Sequence, residues 1–507
     1  MLLVGGRLYR DYRPSTAAAA AAAGAGRNAA TIRPINHEAV LMYKTGYSIV
    51  YDRMPVHLLE DRPDIPNRLV YSDVAMQLGP HSIIDAVRNV SHIGSPLPEF
   101  GEYRRLNQAY ADGSPIEPTT SGWELDRYKF APMSTHAWKT FPQAKWYIGA
   151  DGDTFIFFST LLRWLERYFP EPESYGWYLG YDEVGSPDPD RPRYFAHGGA
   201  GFVMSQGLMR QIHAGDPDGA KFINDPRFVD IRCGDCALGD YIADLPGRKG
   251  HTDAGIDIFH HDGLDKVIFR PRLWHTYVVS LHHNSASQLD RLRQWEKDFL
   301  PTLPEWDGVR QCDVLFGMAP AFLREAMQNY LTALRALELS KNGTTSASAT
   351  ASSSSPAATQ LPPKTVVKAD WRAEDVDPWE CNETCLKQHG TDADGELRCD
   401  RACDDRPSCY GWRYVYGTCI LANNGFRIGA AVDARFEMRT AWRLDRIAAL
   451  EGRMPCADGA MRAFADERGM GLEYGQADLQ NTGKDEGWTL PARIDGQNGV
   501  VLATLAR

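Results

Sequence analysis

Apolar runs in the first part of the chain end at charged or hydroxyl residues, a pattern that predicts strands delivering polar groups to one sheet edge. Ala39-Val-Leu-Met-Tyr43 predicts a strand that ends at Lys44-Thr45, and helical spacing follows from Val50 to Leu58. The segment Pro66-Asn-Arg-Leu-Val-Tyr-Ser-Asp73 predicts a second strand. This order is typical of a nucleotide-binding α/β sheet, where ligands lie at the carboxyl ends of the strands. The Asp at position 73 suits that edge or a helix N-cap.

The segment Lys145-Trp-Tyr-Ile-Gly-Ala-Asp151-Gly152-Asp153 contains a buried strand that ends at two carboxylates. Two close carboxylates repel each other unless a cation lies between them, and oxygen ligands suit Mg²⁺ or Mn²⁺. Asp-Gly is also a common surface-turn signal. From these residues alone, a turn and a metal site are both open.

Three later segments carry further candidate chemistry. His197-Gly-Gly-Ala-Gly201 allows close approach of a ligand to the backbone, or forms a plain loop, and it lacks the Gly-Lys-Ser/Thr of a P-loop. Asp235 precedes an apolar helical pattern, so it is a helix N-cap or a site acid. It lies between Cys233 and Cys236, which could be a metal or redox pair, although disulfides to unknown partners are the simpler interpretation.

Five histidines lie between His260 and His283. His260 follows a strand-like Ile-Phe pair and could join the two carboxylates on a metal. The same density is compatible with the metal cluster of a hydrolase.

Length, charge and cysteine placement narrow the class of protein. A chain of 507 residues exceeds one compact core, and 66 acidic against 55 basic residues argue against a nucleic-acid partner. Seven of the ten cysteines follow position 380, and they lack the paired CxxC spacing of a zinc module. The sequence therefore predicts a disulfide framework made in an oxidising compartment. No segment is long and apolar enough to predict a membrane span.

The ordered set of motifs resembles the Fringe-like glycosyltransferases of family 31, most closely fungal members related to the core 1 β-1,3-galactosyltransferases. The resemblance runs from about Val40 to His283, and the tail from Cys399 to Cys456 resembles a PAN/Apple-type module. The motifs are Lys44-Thr45, residues 66–73, Gly122-Trp-Glu-Leu-Asp-Arg-Tyr-Lys-Phe-Ala-Pro-Met133, Lys145–Thr154, His197-Gly-Gly-Ala-Gly-Phe202, Asp235-Cys-Ala-Leu-Gly239, Phe259-His260 and Val279-Ser-Leu-His-His283.

The resemblance implies an α/β chain with the GT-A fold, a mixed and mostly parallel central sheet flanked by helices, plus a small disulfide-rich module. Composition predicts a disordered segment at 1–36, rich in Ala, Gly and Arg, and a Ser/Thr/Ala/Pro-rich linker at 341–368. Together with the resemblance, this gives a transferase domain at 37–340, a cysteine-rich module at 369–460 and an extension at 461–507. The resemblance also implies a type II membrane protein of the Golgi lumen, attached only through an anchor that is not evident in this sequence.

The implied activity is inverting transfer of a hexose, with galactose expected, from a UDP-sugar to a glycan or glycoprotein acceptor in β-1,3 linkage. N-acetylgalactosaminide β-1,3-galactosyltransferase is one such activity, and Mn²⁺ or another divalent cation is the expected cofactor. By resemblance, Asp235 is the catalytic base. The metal ligands are Asp151, Asp153 and His260, and the donor-binding residues are Lys44, Thr45, Asp73, Asp151, Asp153, His197, Gly198 and Gly199.

One departure from the family pattern concerns Gly152. Many relatives carry three consecutive acids there, so the middle contact is lost in this chain. Two further hypotheses stay open: an inactive transferase fold that binds glycans or proteins, and a metallohydrolase built from the carboxylates and histidines.

Overall fold

The computed structural model describes residues 35–59, 62, 64–90, 96–185, 193–246, 255, 257–342, 361–373, 376–389, 395–459, 462–463 and 466. The predicted disordered segment 1–36 and the predicted extension 461–507 lie almost entirely outside the described residues. Of the predicted linker 341–368, residues 343–360 also lie outside them.

The described residues form two compact units, each assembled from separate parts of the chain. The first unit contains the described residues of 35–263 together with Thr276–Val309. The cysteine-rich unit contains Leu264–His275 and the described residues of 310–466. The domain boundaries predicted at 340 and 368 stay a prediction.

The first unit alternates short strands with helices. Its strands are β1 Ala39–Lys44, β2 Arg68–Ser72, β3 Met76–Leu78, β4 His81–Asp85, β5 Trp146–Asp151, β6 Phe155–Ile156, β7 Tyr178–Gly180, β8 Asp182–Val184, β9 Tyr194–Ala196, β10 Phe202–Ser205, β11 Phe259–His260 and β12 Ser280–Leu281. Its helices are α1 Val50–Arg53, α2 Pro55–Leu58, α3 Pro98–Asp112, α4 Thr120–Glu124, α5 Phe130–Thr140, α6 Phe158–Tyr168, α7 Gln206–Ile212, α8 Ala220–Ile223, α9 Arg227–Asp230, α10 Gly234–Ala243 and α11 Ala286–Phe299.

The central sheet is buried on both faces, because successive side chains of a strand point to opposite sides. In β1, Leu41 and Tyr43 pack into one apolar cluster, whereas Val40 and Met42 pack into the other. All six residues of β1 are buried. The near-continuous apolar run of β1 is thus the sequence of a strand at the centre of a layered α/β unit.

Seven strands form that sheet in the order β3-β4-β2-β1-β5-β10-β7. The four consecutive strands β4, β2, β1 and β5 are parallel, whereas β3, β10 and β7 pair antiparallel with their neighbours. The predicted mixed α/β architecture is confirmed, but the sheet is not mostly parallel, since three of its strand pairings are parallel and three are antiparallel. Smaller sheets are formed by β11-β12-β6 and by β8-β9.

The cysteine-rich unit combines helices with a five-stranded antiparallel sheet of order β13-β19-β16-β17-β15 and a β14-β18 pair. Its elements are α12 Gln311–Met318, α13 Ala321–Asn342, β13 Thr365–Ala369, β14 Trp371–Arg372, β15 Trp379–Cys381, α14 Glu383–Gln388, α15 Gly395–Asp404, β16 Cys409–Val415, β17 Thr418–Asn423, β18 Ala430–Ala431, β19 Arg439–Arg443 and α16 Leu444–Arg453. Most of β13 therefore falls within the last residues of the predicted linker.

All ten cysteines are paired, which confirms the predicted disulfides. The bridges of the cysteine-rich unit are Cys312–Cys456, Cys381–Cys385, Cys399–Cys419 and Cys403–Cys409. Cys233 and Cys236, predicted to bond to unknown partners, are bonded to each other.

Among the described helices, none has both the length and the apolar character needed to cross a bilayer.

Candidate active site

The parallel strands β2, β1 and β5 bring their carboxyl ends to one edge of the sheet. Lys44, the last residue of β1, lies opposite Tyr71 of β2 and Asp151 of β5. Asp73 follows β2 directly, and the chain continues into β3, so this aspartate is not the N-cap residue of a helix. The structure thus gathers Lys44, Asp73 and Asp151 at the edge where α/β sheets bind ligands.

Five alternating acidic and basic side chains connect these strand ends. Lys44 Nζ lies 2.7 Å from Asp151 Oδ1 and also pairs with Asp126. Lys129 Nζ lies 3.5 Å from Asp126 Oδ1 and 3.0 Å from Asp73 Oδ2. We call these five residues the ion-pair network.

Most of the ion-pair network is buried, which makes its pairing essential. Lys44, Lys129 and Asp73 are 4%, 1% and 1% exposed. Burial alone would lower the pKa of Lys44, but the carboxylates of Asp126 and Asp151 raise it above its ordinary value. Burial would likewise raise the pKa of Asp126, but the two lysines hold it below its usual range. Lys44 and Asp126 are therefore both charged at neutral pH.

Sequence reasoning missed Asp126 and Lys129 as site residues. Both belong to the motif Gly122–Met133 of the resemblance but were given no role there, and the structure places them in and directly after a 3₁₀ turn, Leu125–Tyr128, between α4 and α5. The signal that could have found them is a pair of opposite charges, three residues apart, before the apolar start of α5.

Thr45 and Asp73, both predicted donor-binding residues, also make hydrogen bonds that involve the backbone. The Thr45 carbonyl accepts a hydrogen bond from Lys129 Nζ at 2.8 Å. Asp73 Oδ1 accepts one from the backbone N–H of Tyr47, also at 2.8 Å. The Thr45 hydroxyl is buried and makes no hydrogen bond to any described residue.

Asp153 belongs to a different group of side chains, made with two histidines. Its carboxylate lies 3.3 Å from His282 Nε2 and 3.9 Å from His283 Nδ1. One ligand atom from each of the three residues lies within 4.8 Å of the others. Burial would raise the pKa of Asp153, but His282 and Arg53 lower it to about 2, so the carboxylate is ionised.

The orientation of His282 suits a metal ligand. Its Nδ1 donates a hydrogen bond to the backbone carbonyl of His261 at 3.1 Å, which turns Nε2 towards Asp153. Fixing one ring nitrogen on a carbonyl is how proteins orient metal-binding histidines. A carboxylate and an imidazole nitrogen are donors that Mn²⁺ and related divalent ions accept.

His260, the predicted histidine ligand, is not a member of this group of described residues. It lies on β11 opposite Leu281, and its backbone carbonyl accepts the N–H of His282 at 3.1 Å. Burial lowers the pKa of His260 to about 4, so its ring is neutral at pH 7. The histidine that the fold brings to Asp153 is therefore His282, and the role predicted for His260 stays a prediction.

Gly152, which separates the two acids, is packed too closely for a larger residue to enter freely. A Cβ there would lie 3.1 Å from Arg53 Cβ and 3.3 Å from Met54 Sδ. His57 Nε2 donates a hydrogen bond to the Gly152 carbonyl at 3.0 Å. Contacts with α1, α2 and Met54 between them thus hold the loop between Asp151 and Asp153 in place.

The glycine-rich turn before β10 lies close to both the histidine group and Asp235. A Cβ at Gly199 would lie 2.2 Å from the ring of His282, and one at Gly198 would lie 2.7 Å from the ring of Phe130. Glycine is required at both positions because these rings occupy the side-chain space. The neighbouring His197 ring is centred 5.6 Å from that of His282.

Asp235 lies in the first turn of α10, whose N-cap residue is Cys233 rather than Asp235. Its Oδ2 accepts a hydrogen bond from the Gly198 N–H at 2.8 Å. Burial raises the pKa of Asp235, and this effect exceeds the opposing effects of the Gly198 N–H and of charges on His197 and Lys44. A carboxylate with a raised pKa is a stronger base than an ordinary one.

Comparison with known proteins gives a partial match. Residues 104–287 match the family model described as Fringe-like. A segment of 161 residues is 25% identical to a protein of Xenopus laevis named beta-1,3-N-acetylglucosaminyltransferase lunatic fringe. That alignment covers 29% of this chain and 36% of the relative, so the chain spans about a third of the length of the curated relative.

The family match covers Asp126, Lys129, the Asp-Gly-Asp motif, the glycine-rich turn, Asp235 and the histidines, whereas Lys44, Thr45 and Asp73 precede it. The chain therefore contains a Fringe-like segment at residues 104–287, and this segment supplies most of the candidate site.

Proposed function

We propose that the chain is a metal-dependent, inverting glycosyltransferase that moves a hexose from a UDP-sugar to a glycan or glycoprotein acceptor in β-1,3 linkage. One observation carries this proposal. The turn at Gly198 and Gly199 packs against His282, which lies with Asp153 and His283 in a cluster of possible metal ligands. The same turn donates a hydrogen bond to a second, partly buried carboxylate, that of Asp235. Transfer from a nucleotide sugar needs these two functions side by side, because one end of the reaction develops negative charge and the other releases a proton.

Asp153 and His282 would hold the divalent cation, with Asp151 on the same loop. When bound, the cation acts as a Lewis acid that stabilises the negative charge of the departing diphosphate. Lys44 adds a fixed positive charge next to Asp151, and the Thr45 hydroxyl offers an uncommitted polar group for the nucleotide. Asp73 is anchored at the end of β2, where the ribose of a nucleotide lies in sheets of this type.

Asp235 would accept the proton of the acceptor hydroxyl as that oxygen forms a bond to the anomeric carbon. The bond from that carbon to the diphosphate oxygen breaks on the opposite face, and UDP carries away the electron pair. The raised pKa of Asp235 favours proton transfer to it. A single displacement of this kind inverts the anomeric configuration and needs no covalent intermediate.

Two observations favour different donor sugars. The sequence resemblance favours galactose, whereas the relative's name refers to an N-acetylglucosaminyl group. We propose a UDP-hexose, with UDP-galactose and UDP-N-acetylglucosamine as the first donors to compare.

We extend the proposal to the GT-A fold for the first unit, a PAN/Apple-type module for the cysteine-rich unit, and a Golgi-lumen location. Five disulfides support a compartment of the secretory pathway, because such bonds persist where the environment is oxidising.

A metallohydrolase is less well supported by the geometry. Apart from Asp153 with its two histidines, every metal-type group among the described residues contains disulfide-bonded cysteines. Their sulfurs are not thiolates, so a two-metal site has no second set of ligands there.

The experiment that tests the proposal compares two matched Asp→Asn variants for UDP binding and sugar transfer with Mn²⁺. Asp235→Asn should abolish transfer and leave UDP affinity nearly unchanged, since Asp235 serves the acceptor. Asp230→Asn alters an exposed acid at the end of α9 and should change neither property. No UDP binding and no transfer by the unaltered protein would refute the proposal. Transfer that survives Asp235→Asn would remove the role of Asp235.

A further inference from the structure

The disulfide Cys233–Cys236 encloses the first turn of α10. Cys233 is the N-cap residue of the helix, so Gly234, Asp235 and Cys236 occupy the first three helical positions. In many helices the N-cap and third positions are joined by reciprocal hydrogen bonds, the capping box. Here the N-cap side chain makes no capping hydrogen bond, and a covalent bridge joins the same two positions.

The bridged turn is pressed against the segment that begins α5. A Cβ at Gly234 would lie 2.5 Å from Arg127 Cα and 2.5 Å from the Phe130 ring. No larger side chain fits at position 234, so only glycine allows the first turn of α10 to approach the backbone of Arg127 this closely. Cys236 is 9% exposed, which places its end of the bridge within the same packed layer.

The Asp235 carboxylate, which projects from this turn, is hydrogen-bonded by the glycine-rich turn at residues 197–201. Asp235 Oδ2 accepts the Gly198 N–H at 2.8 Å, and a Cβ at Gly198 would lie 2.7 Å from Phe130 and 3.2 Å from that same oxygen. The carboxylate position therefore depends on two turns that both pack on Phe130.

We propose that the Cys233–Cys236 disulfide is a positioning element that holds Asp235 in place by closing the first turn of α10 covalently. This inference rests on the proposed role of Asp235 as the base. Helix ends fray because their first N–H groups lack partners within the helix, and the bridge prevents the turn from opening. Without it, Asp235 loses its fixed distance to the Gly198 N–H.

The consequence is a specific loss of turnover. Displacing a reacting group by about 1 Å costs on the order of 100-fold in rate. Removal of the bridge should therefore lower kcat by about 10- to 100-fold. KM for the UDP-sugar should change less than about 2-fold, because the ion-pair network and the Asp153–His282 pair lie outside the bridged turn.

The test compares three variants of the full chain. Cys233→Ala/Cys236→Ala removes the bridge, and Cys233→Ser/Cys236→Gln replaces it with the residues of a hydrogen-bonded capping box. Cys381→Ala/Cys385→Ala removes a bridge of similar span from the cysteine-rich unit and serves as the control. The readouts are kcat and KM for sugar transfer, together with hydrogen exchange of the Gly198 amide.

We expect the alanine pair to lose kcat and Gly198 protection, the Ser/Gln pair to recover part of both, and the control to retain both. Unchanged Gly198 protection in the alanine pair would overturn the positioning role. So would a loss of kcat matched by an equal loss of UDP affinity, since that result indicates general unfolding. If the unaltered protein transfers no sugar, the proposed function fails, and Gly198 exchange still decides whether the bridge holds Asp235.

Discussion

Lys129→Met tests the ion-pair network by removing one cation and keeping a side chain of similar length. Lys129 is 1% exposed, lies 3.0 Å from Asp73 Oδ2 and donates to the Thr45 carbonyl at 2.8 Å. The substitution leaves Asp73, itself 1% exposed, without the cation that compensates its charge. It also removes a donor from a buried carbonyl.

The expected cost follows from this burial. Removing one partner of a buried ion pair destabilises a protein by about 3–5 kcal/mol, because the other charge stays desolvated. In a unit of this size each kcal/mol shifts Tm by roughly 2–4 °C, so Tm should fall by about 6–20 °C. Lys139→Met is the matched control, since Lys139 is half-exposed and pairs at 3.2 Å with the fully exposed Asp218. Exposed pairs contribute about 1 kcal/mol or less.

The measurement is thermal and urea unfolding of four variants, namely Lys129→Met, Lys139→Met, Asp73→Asn and the double variant Lys129→Met/Asp73→Asn. The double variant removes both charges. Its loss in free energy of unfolding should therefore be smaller than the sum of the two single losses by about 1 kcal/mol or more. Strictly additive effects, or an equally small Tm change for Lys129→Met and Lys139→Met, would refute the assigned pairing.

Three further predictions concern stability elsewhere in the two units. Burial raises the pKa of Glu296 to about 7, so the ionisation of this carboxyl opposes folding. The free energy of unfolding should therefore fall by about 3 kcal/mol between about pH 4.5 and pH 7. Glu296→Gln should remove this pH dependence in urea titrations, and an unaltered pH slope would contradict the prediction. Gly152→Asp should lower the Tm, because a Cβ added there would lie 3.1 Å from Arg53 Cβ. An unchanged Tm with stronger Mn²⁺ binding would contradict this. Cys312→Ala/Cys456→Ala removes a disulfide that joins residues 144 positions apart. The free energy of unfolding of the cysteine-rich unit should fall by about 2–5 kcal/mol in denaturant titrations, and an unchanged unfolding midpoint would refute this.

The strand ends that carry the candidate site could be predicted from the sequence. The apolar runs before Lys44, Asp73 and Asp151 are typical of buried strands, and a charge at the end of such a run needs an opposite charge or solvent at the sheet edge. Parallel pairing then brings those ends to one edge. Local pattern and one topological rule were sufficient for this part.

The partners of those side chains could not be predicted in the same way. Lys44 and Asp126 are 82 residues apart, and only the packing of the turn before α5 against the sheet edge brings them together. His260 and His282 both follow short apolar segments, so local pattern does not distinguish them. The β11–β12 register and the Nδ1 hydrogen bond of His282 do so.

Disulfide partners are a third case. Clustering beyond position 380 predicts bridges, but pairing is a property of the folded chain. Cys456 belongs to the cluster in sequence, yet it bonds to Cys312, which precedes the predicted linker. Cys233 and Cys236 bond to each other because they occupy the two ends of one helical turn.

The most direct test of the account is a crystal structure of the protein with UDP and Mn²⁺, with anomalous scattering recorded at the manganese edge. We expect one manganese peak in coordination contact with Asp153, His282 Nε2 and the diphosphate, with the nucleotide beside Lys44 and Asp73. Manganese on His260 instead of His282 would contradict the proposed ligand set. UDP bound away from the carboxyl ends of β1 and β5 would contradict the proposed function.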